Sequence, residues 1–218
     1  MIRFNLHYQQ LLCKHFFGSI LIRSKREKAM NNNDQDNKTF RIVFIGVMTA
    51  IVFVITYLRI PFFGSKLSLG NVFCLLSGLM FGPVAGGLPA GLGSFIYDLV
   101  GGYDILQALI TFVSKFAMAW ICAKVSGTYI KNKPESNVRI VIGSIDGAIS
   151  YVVLYMLKTY VYQRFVYGNP LDGALAVMAS KLPASLINAV CAFILAPIIY
   201  KAIAPILNKN GYLNKVRG

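Results

Sequence analysis

The stretch LGNVFCLLSGLMFGPVAGGLPAGLGSFIYDLV, Leu69–Val100, decides how this chain folds. It carries no charge before Asp98, and an apolar run of such length reads as membrane-embedded. As one unbroken helix it would be about 48 Å long, against a hydrocarbon core of about 30 Å. Its middle reads Gly82-Pro83-Val84-Ala85-Gly86-Gly87-Leu88-Pro89. Proline lacks an amide donor and clashes with the preceding turn, and paired glycines weaken a helix, so the run breaks or bends there. The reading is two short helices joined by a turn near Gly82-Pro83.

Outward from this pair, the same pattern repeats. A first span is expected over about Phe40–Leu58, stopped by Arg59-Ile60-Pro61, with Arg59–Ser68 read as a loop holding Pro61, Phe62, Phe63 and Gly64. Downstream, spans are expected over about Ile105–Ser126, Val138–Tyr160 and Leu171–Ile206. The polar loop Lys131–Glu135 and the turn Tyr167-Gly168-Asn169-Pro170 separate them, and Pro183, Pro197 and Pro205 are expected to kink the last. There is no internal repeat and no soluble domain. The fold class is all-α, an integral membrane bundle of about six transmembrane helices. Residues 1–39 form a basic and polar tail, 40–208 the membrane domain and 209–218 a short cytoplasmic tail.

Composition agrees. The chain is 56% hydrophobic and 14% charged, where soluble chains carry about a quarter charged residues. The net charge of +14 is clumped at the ends and in one middle loop. That is how a membrane protein sets its orientation, and it argues against nucleic acid. With both termini on one side, that side holds sixteen lysines and arginines and the other has four, Arg59, Lys66, Lys158 and Arg164. Both termini are therefore expected to be cytoplasmic in the plasma membrane. Met1–Lys28 is basic with too short an apolar patch to span, and Met30 is an expected second start. Cys13, Cys74, Cys122 and Cys191 form no C-x-x-C pair and read as packing residues.

Catalytic and nucleotide-binding motifs are missing, and the histidines His7 and His15 lie in the tail. No enzyme activity, cofactor or metal is expected. Attention falls instead on polar residues within the spans, which are costly in lipid and face the bundle interior. On the fourth helix Asp104, Gln107, Thr111, Ser114, Lys115 and Met118 form one stripe at helical spacing. Lys181, Ser185 and Asn188 do so on the sixth, and Gly87, Gly91, Ser94 and Asp98 on the third. The fifth offers Tyr151, Tyr155, Lys158 and Tyr162. Given the orientation, these groups converge on the outer half of the membrane, with Phe62 and Phe63 expected as an apolar cover.

Plainer readings stand beside these. Asp98 with Lys115 also reads as a structural ion pair, Lys158 as a residue snorkelling to the interface, and the tyrosines as an interfacial belt. Asp146 points away from the tyrosine face and reads as a packing or partner contact. Gly82, Gly86 and Ala90, with Gly87 and Gly91, have small-x-x-x-small spacing, and Gly46 and Ala50 repeat it on the first helix. Such spacing serves internal packing or a partner membrane protein equally well.

Together these residues resemble the substrate-binding S component of an energy-coupling factor (ECF) vitamin transporter, in particular the riboflavin-type S-component family. Three passages carry the resemblance: Arg41–Ala50, Leu67–Asn71 with Leu79–Gly86, and Gly91–Ser94 leading to Tyr97-Asp98. The Lys115 helix and Lys181-Leu-Pro183 add to it, over about Phe40–Asn208. The resemblance implies a vitamin pocket near the outer face, capped by the first loop. Asn71, Asp98, Lys115, Tyr155, Lys181 and Asn188 are the residues expected to bind the substrate. It also implies that Gly46 and Ala50 face a transmembrane T subunit, which works with two ATPase subunits; the family patch usually reads alanine-x-x-x-alanine, and Gly46 departs from it. Two other classes compete with this reading: an envelope assembly protein with no ligand, and an intramembrane hydrolase, for which the spans offer no histidine.

Overall fold

The computed structural model describes residue 35 and residues 38–62, 65–130, 136–209 and 212–213, with the backbone alone over 59–67. The readings of the N-terminal tail, of the Phe62 and Phe63 cover and of the Lys131–Glu135 loop lie outside the described residues. The helix packing described below is that of the unit Arg41–Gly218.

Six α-helices occur among the described residues. They are α1 Lys38–Tyr57, α2 Gly70–Phe81, α3 Pro83–Val100, α4 Ile105–Ser126, α5 Asn137–Val161 and α6 Leu171–Lys209. The Arg59–Ser68 segment, expected as a loop, is instead an antiparallel hairpin of β1 Arg59–Phe62 and β2 Ser65–Ser68, with Arg59 opposite Ser68 and Phe62 opposite Ser65. Pairing the two strands satisfies backbone amides that an open loop beside an apolar bundle would leave wanting. α5 runs on through a π-helical turn, Tyr162–Val166, where the Tyr167 N–H donates to the Tyr162 carbonyl at 3.0 Å.

The Leu69–Val100 run breaks where its sequence says it must. Gly82 sits at φ +86°, which a residue with a Cβ rarely adopts, and Pro83 opens α3, where its missing N–H costs nothing. Pro89 stays inside α3, so the break is at Gly82 alone. α2 is about 18 Å long and too short to cross a bilayer. Every α2 residue except Phe73 is buried, because α3, α4, α5 and α6 all pack around it. A helix apolar on all sides belongs at the centre of a bundle.

Small residues let these helices touch backbone to backbone. A Cβ on Gly86 would run into the Ser77 carbonyl of α2, and one on Gly78 into the Ala119 carbonyl of α4. Ser77 Oγ lies 2.7 Å from the Gly86 carbonyl, and Thr128 Oγ1 donates to the Leu79 carbonyl at 2.7 Å. Gly87 and Gly91 receive the Phe116 and Phe112 rings of α4. The glycine stripe of α3 is therefore internal packing.

α1 is held by one face, with Phe44 edge-on to Phe81 at 5.7 Å and Val52 fully buried against α3 at Gly93. Its other face exposes Ile42 (71%) and Val47 (55%), and a Cβ on Gly46 would meet nothing within 4 Å. α1, α4, the α5 segment Asn137–Val166 and α6 are long and apolar enough to cross a membrane. Exposed apolar faces of this extent suit lipid, not water.

Candidate functional site

A cavity of about 230 Å³ opens at the end of the bundle where α1 stops and α2 starts. Every helix reaches it. α1 supplies Thr56 from its last turn, α2 Asn71 from its first, and α3 Ser94 and Asp98 from its final turns. The first half of α4, the second half of α5 and the middle of α6 complete the wall. In an alternating bundle this places the cavity at the end away from the start of α1 and the finish of α6.

The six residues singled out from the sequence, Asn71, Asp98, Lys115, Tyr155, Lys181 and Asn188, all line this one cavity. The Lys115 ammonium donates to Asn71 Oδ1 and sits 3.9 Å from the centre of the Tyr151 ring, an arrangement that holds a cation on two neutral groups. Tyr151 in turn stacks on Tyr155, with ring centres 5.7 Å apart. Asn188 Oδ1 accepts the Ser68 N–H at 2.9 Å, and Ser68 Oγ accepts the Gly70 N–H at 3.0 Å. One amide on α6 thus fixes the end of the hairpin, which in turn caps the start of α2.

Lys158 does not snorkel outward. It reaches across to α4 and donates to Thr111 Oγ1 at 2.6 Å and to the Gln107 carbonyl at 3.2 Å. The Thr111 hydroxyl itself donates to Gln107 O at 3.0 Å. Ser94, Ser114 and Ser185 likewise donate to the carbonyl four residues before them. These hydroxyl protons are committed to their own helices, and the oxygens face the cavity as acceptors.

Parts of the expected stripes fall elsewhere. Asp104 is exposed at the position before α4 and does not line the cavity, because the helix begins only at Ile105. Met118 lies in the packed core beneath, with no exposed surface. Tyr162 is buried beside Tyr167, with ring centres 6.2 Å apart, and does not line the cavity. Asp146 is half-buried on α5 outside the cavity. Sequence reasoning alone gives no binding role to Thr56, Ser68, Tyr97 or Tyr103, which also contribute wall. Hydroxyls and tyrosines are ordinary in membrane spans, so nothing in their spacing sets them apart. Among the described residues no three His, Cys, Asp or Glu side chains gather as a metal site.

Comparison with known proteins adds three findings. The family model for "ECF-type riboflavin transporter, S component" matches residues 36–205. An uncharacterized protein of Pyrococcus woesei, from a "gap 3'region", is 29% identical over 160 residues, covering 72% of this chain and 99% of its own. A chain from "Structure and mechanism of the S component of a bacterial ECF transporter" superposes with a TM-score of 0.55 at 23% identity, over 78% of this chain and 98% of that one. At that identity the likeness is one of fold.

Proposed function

Because the chain belongs to the ECF-type riboflavin transporter S component family, a family of multi-pass membrane transport proteins, we propose that it is the substrate-capture subunit of an ECF-type transporter in the plasma membrane. It binds a small vitamin or vitamin precursor, riboflavin, pyridoxine or a similar molecule. A transmembrane T subunit and two ATPase subunits then drive uptake. Asn71, Asp98, Lys115, Tyr155, Lys181 and Asn188 hold the substrate, and Gly46 and Ala50 meet the T subunit.

One observation carries this reading. Polar and ionisable side chains from all six helices of a largely apolar bundle gather around one cavity. Such groups are expensive inside a membrane, and an orienting set of them in a concave apolar site is what small-ligand recognition requires. With both termini cytoplasmic, as the sixteen-to-four distribution of basic residues argues, the cavity opens outward, where a captured vitamin arrives. The Gly46 and Ala50 face of α1 is exposed, as a docking surface for another membrane helix must be.

The test is native mass spectrometry of the detergent-purified protein, together with co-purification from cells expressing the T and ATPase subunits. A bound vitamin and a stable complex are expected. A ligand-free protein that captures no energising subunits would favour an envelope assembly role instead.

A further inference from the structure

Lys158 stands in the second half of α5 and borders the cavity. A lysine inside a span is costly unless acceptors surround its ammonium group. That group has three protons to place. One goes to Thr111 Oγ1 at 2.6 Å and one to the Gln107 carbonyl at 3.2 Å. Among the described residues it makes no third hydrogen bond, so one donor is left over at the edge of the cavity.

The two bonds fix where the group sits. Thr111 gives its own hydroxyl proton to the Gln107 carbonyl at 3.0 Å, so its oxygen meets the ammonium as an acceptor. Gln107 and Thr111 lie one turn apart on α4, a rigid element across the gap from α5. An ammonium group tied down in this way is already ordered, and a ligand that takes its last proton is spared that cost. The rest of the wall says what kind of ligand this is. The Ser114 and Ser185 hydroxyls give their protons to their own helices and line the cavity with oxygens. Those oxygens suit ligand N–H and O–H groups and disfavour a bare oxyanion. The acceptor that meets Lys158 therefore belongs to a neutral molecule.

Building on the S-component reading, we propose that Lys158 is a further ligand-binding residue. It donates its remaining proton to a neutral acceptor of the vitamin, a ring carbonyl or a ring nitrogen, and Thr111 and Gln107 position it. The bond is charge-assisted, and a molecule with no acceptor at that point binds less well.

The test is isothermal titration of the purified full-length chain with riboflavin and with pyridoxine, both of which carry such acceptors. Lys158→Met keeps the length of the side chain and loses the donor. It should weaken binding of whichever vitamin the wild type takes by about ten- to a hundredfold. Lys158→Gln retains a neutral donor and should lose less; it gives the same reading should the methionine variant fail to fold. Losing a mere strut between α4 and α5 would also weaken binding, so the bound vitamin is read directly at saturation. The infrared carbonyl bands of bound riboflavin, or the ultraviolet band of bound pyridoxine, should differ between wild type and variant.

Unchanged affinity in both variants would overturn the proposal. So would weaker binding with the bands of the bound vitamin unmoved, which makes Lys158 a strut alone. No binding of either vitamin by the wild type overturns it as well. Capture by the T subunit is read in parallel. Retained capture then removes the Lys158 contact alone, whereas lost capture together with lost wild-type binding removes the transport reading too.

Discussion

At the scale of single residues, the site is built from side chains that are individually costly in lipid. Lys181 faces the cavity and Asp146 does not, so their substitutions should behave differently. Lys181→Ala is expected to weaken vitamin binding about ten- to a hundredfold, through loss of one charge-assisted hydrogen bond. Asp146→Asn should leave affinity nearly unchanged; titration of one candidate vitamin into both variants is the check, and the reverse ranking would place the site on the wrong helix faces. Asn188 has a second duty, holding the Ser68 amide. Asn188→Leu should strand that amide, at a cost of about 1–3 kcal/mol, and speed hydrogen exchange over residues 65–68. Asn188→Asp keeps the acceptor and should preserve protection. Ionisable residues such as Asp98 and Lys115 are legible in the sequence because an apolar span tolerates few of them. Lys158 is not, because a lysine near a helix end can turn either way, and its neighbours across the gap, Gln107 and Thr111, decide its direction.

At the scale of elements, two small-residue patterns that look alike in the sequence do different work. Gly78 and Gly86 have neighbouring backbone where a Cβ would sit, and Gly46 has open space. Gly78→Ala should therefore destabilise the bundle by about 1–3 kcal/mol, the usual cost of forcing volume into a packed interior, and lower the melting temperature in detergent. Gly46→Leu should leave the melting temperature and vitamin binding where they were. It should instead reduce recovery of the complex in T-subunit pull-downs; equal yields from variant and wild type would remove α1 as the contact. The hairpin shows where local pattern stops short. Arg59–Ser68 contains Pro61 and Gly64 and looks like a loop, yet its strands pair, with β2 tied to α6 through Asn188.

At the scale of the whole molecule, the alternating helices put the cavity at one end and the start of α1 at the other. The distribution of lysine and arginine then predicts which end faces the cytoplasm. A cysteine placed at Asn132, between α4 and α5, should be labelled by an impermeant reagent only after cells are opened. Labelling from outside would invert the topology and turn the cavity inward.

Helix number, the break at Gly82 and the membrane setting follow from local properties of the chain. Run length against bilayer thickness, the backbone freedom of glycine and the missing amide of proline all act within a few residues. Which faces meet is another matter. Lys158 on Thr111, Asn188 on Ser68 and Lys115 on Asn71 join positions 47, 120 and 44 residues apart. No periodicity along the chain encodes such pairings. They exist only once the bundle is assembled; the Lys115–Asn71 pair, for one, joins α4 to α2, helices that Gly78 lets touch backbone to backbone.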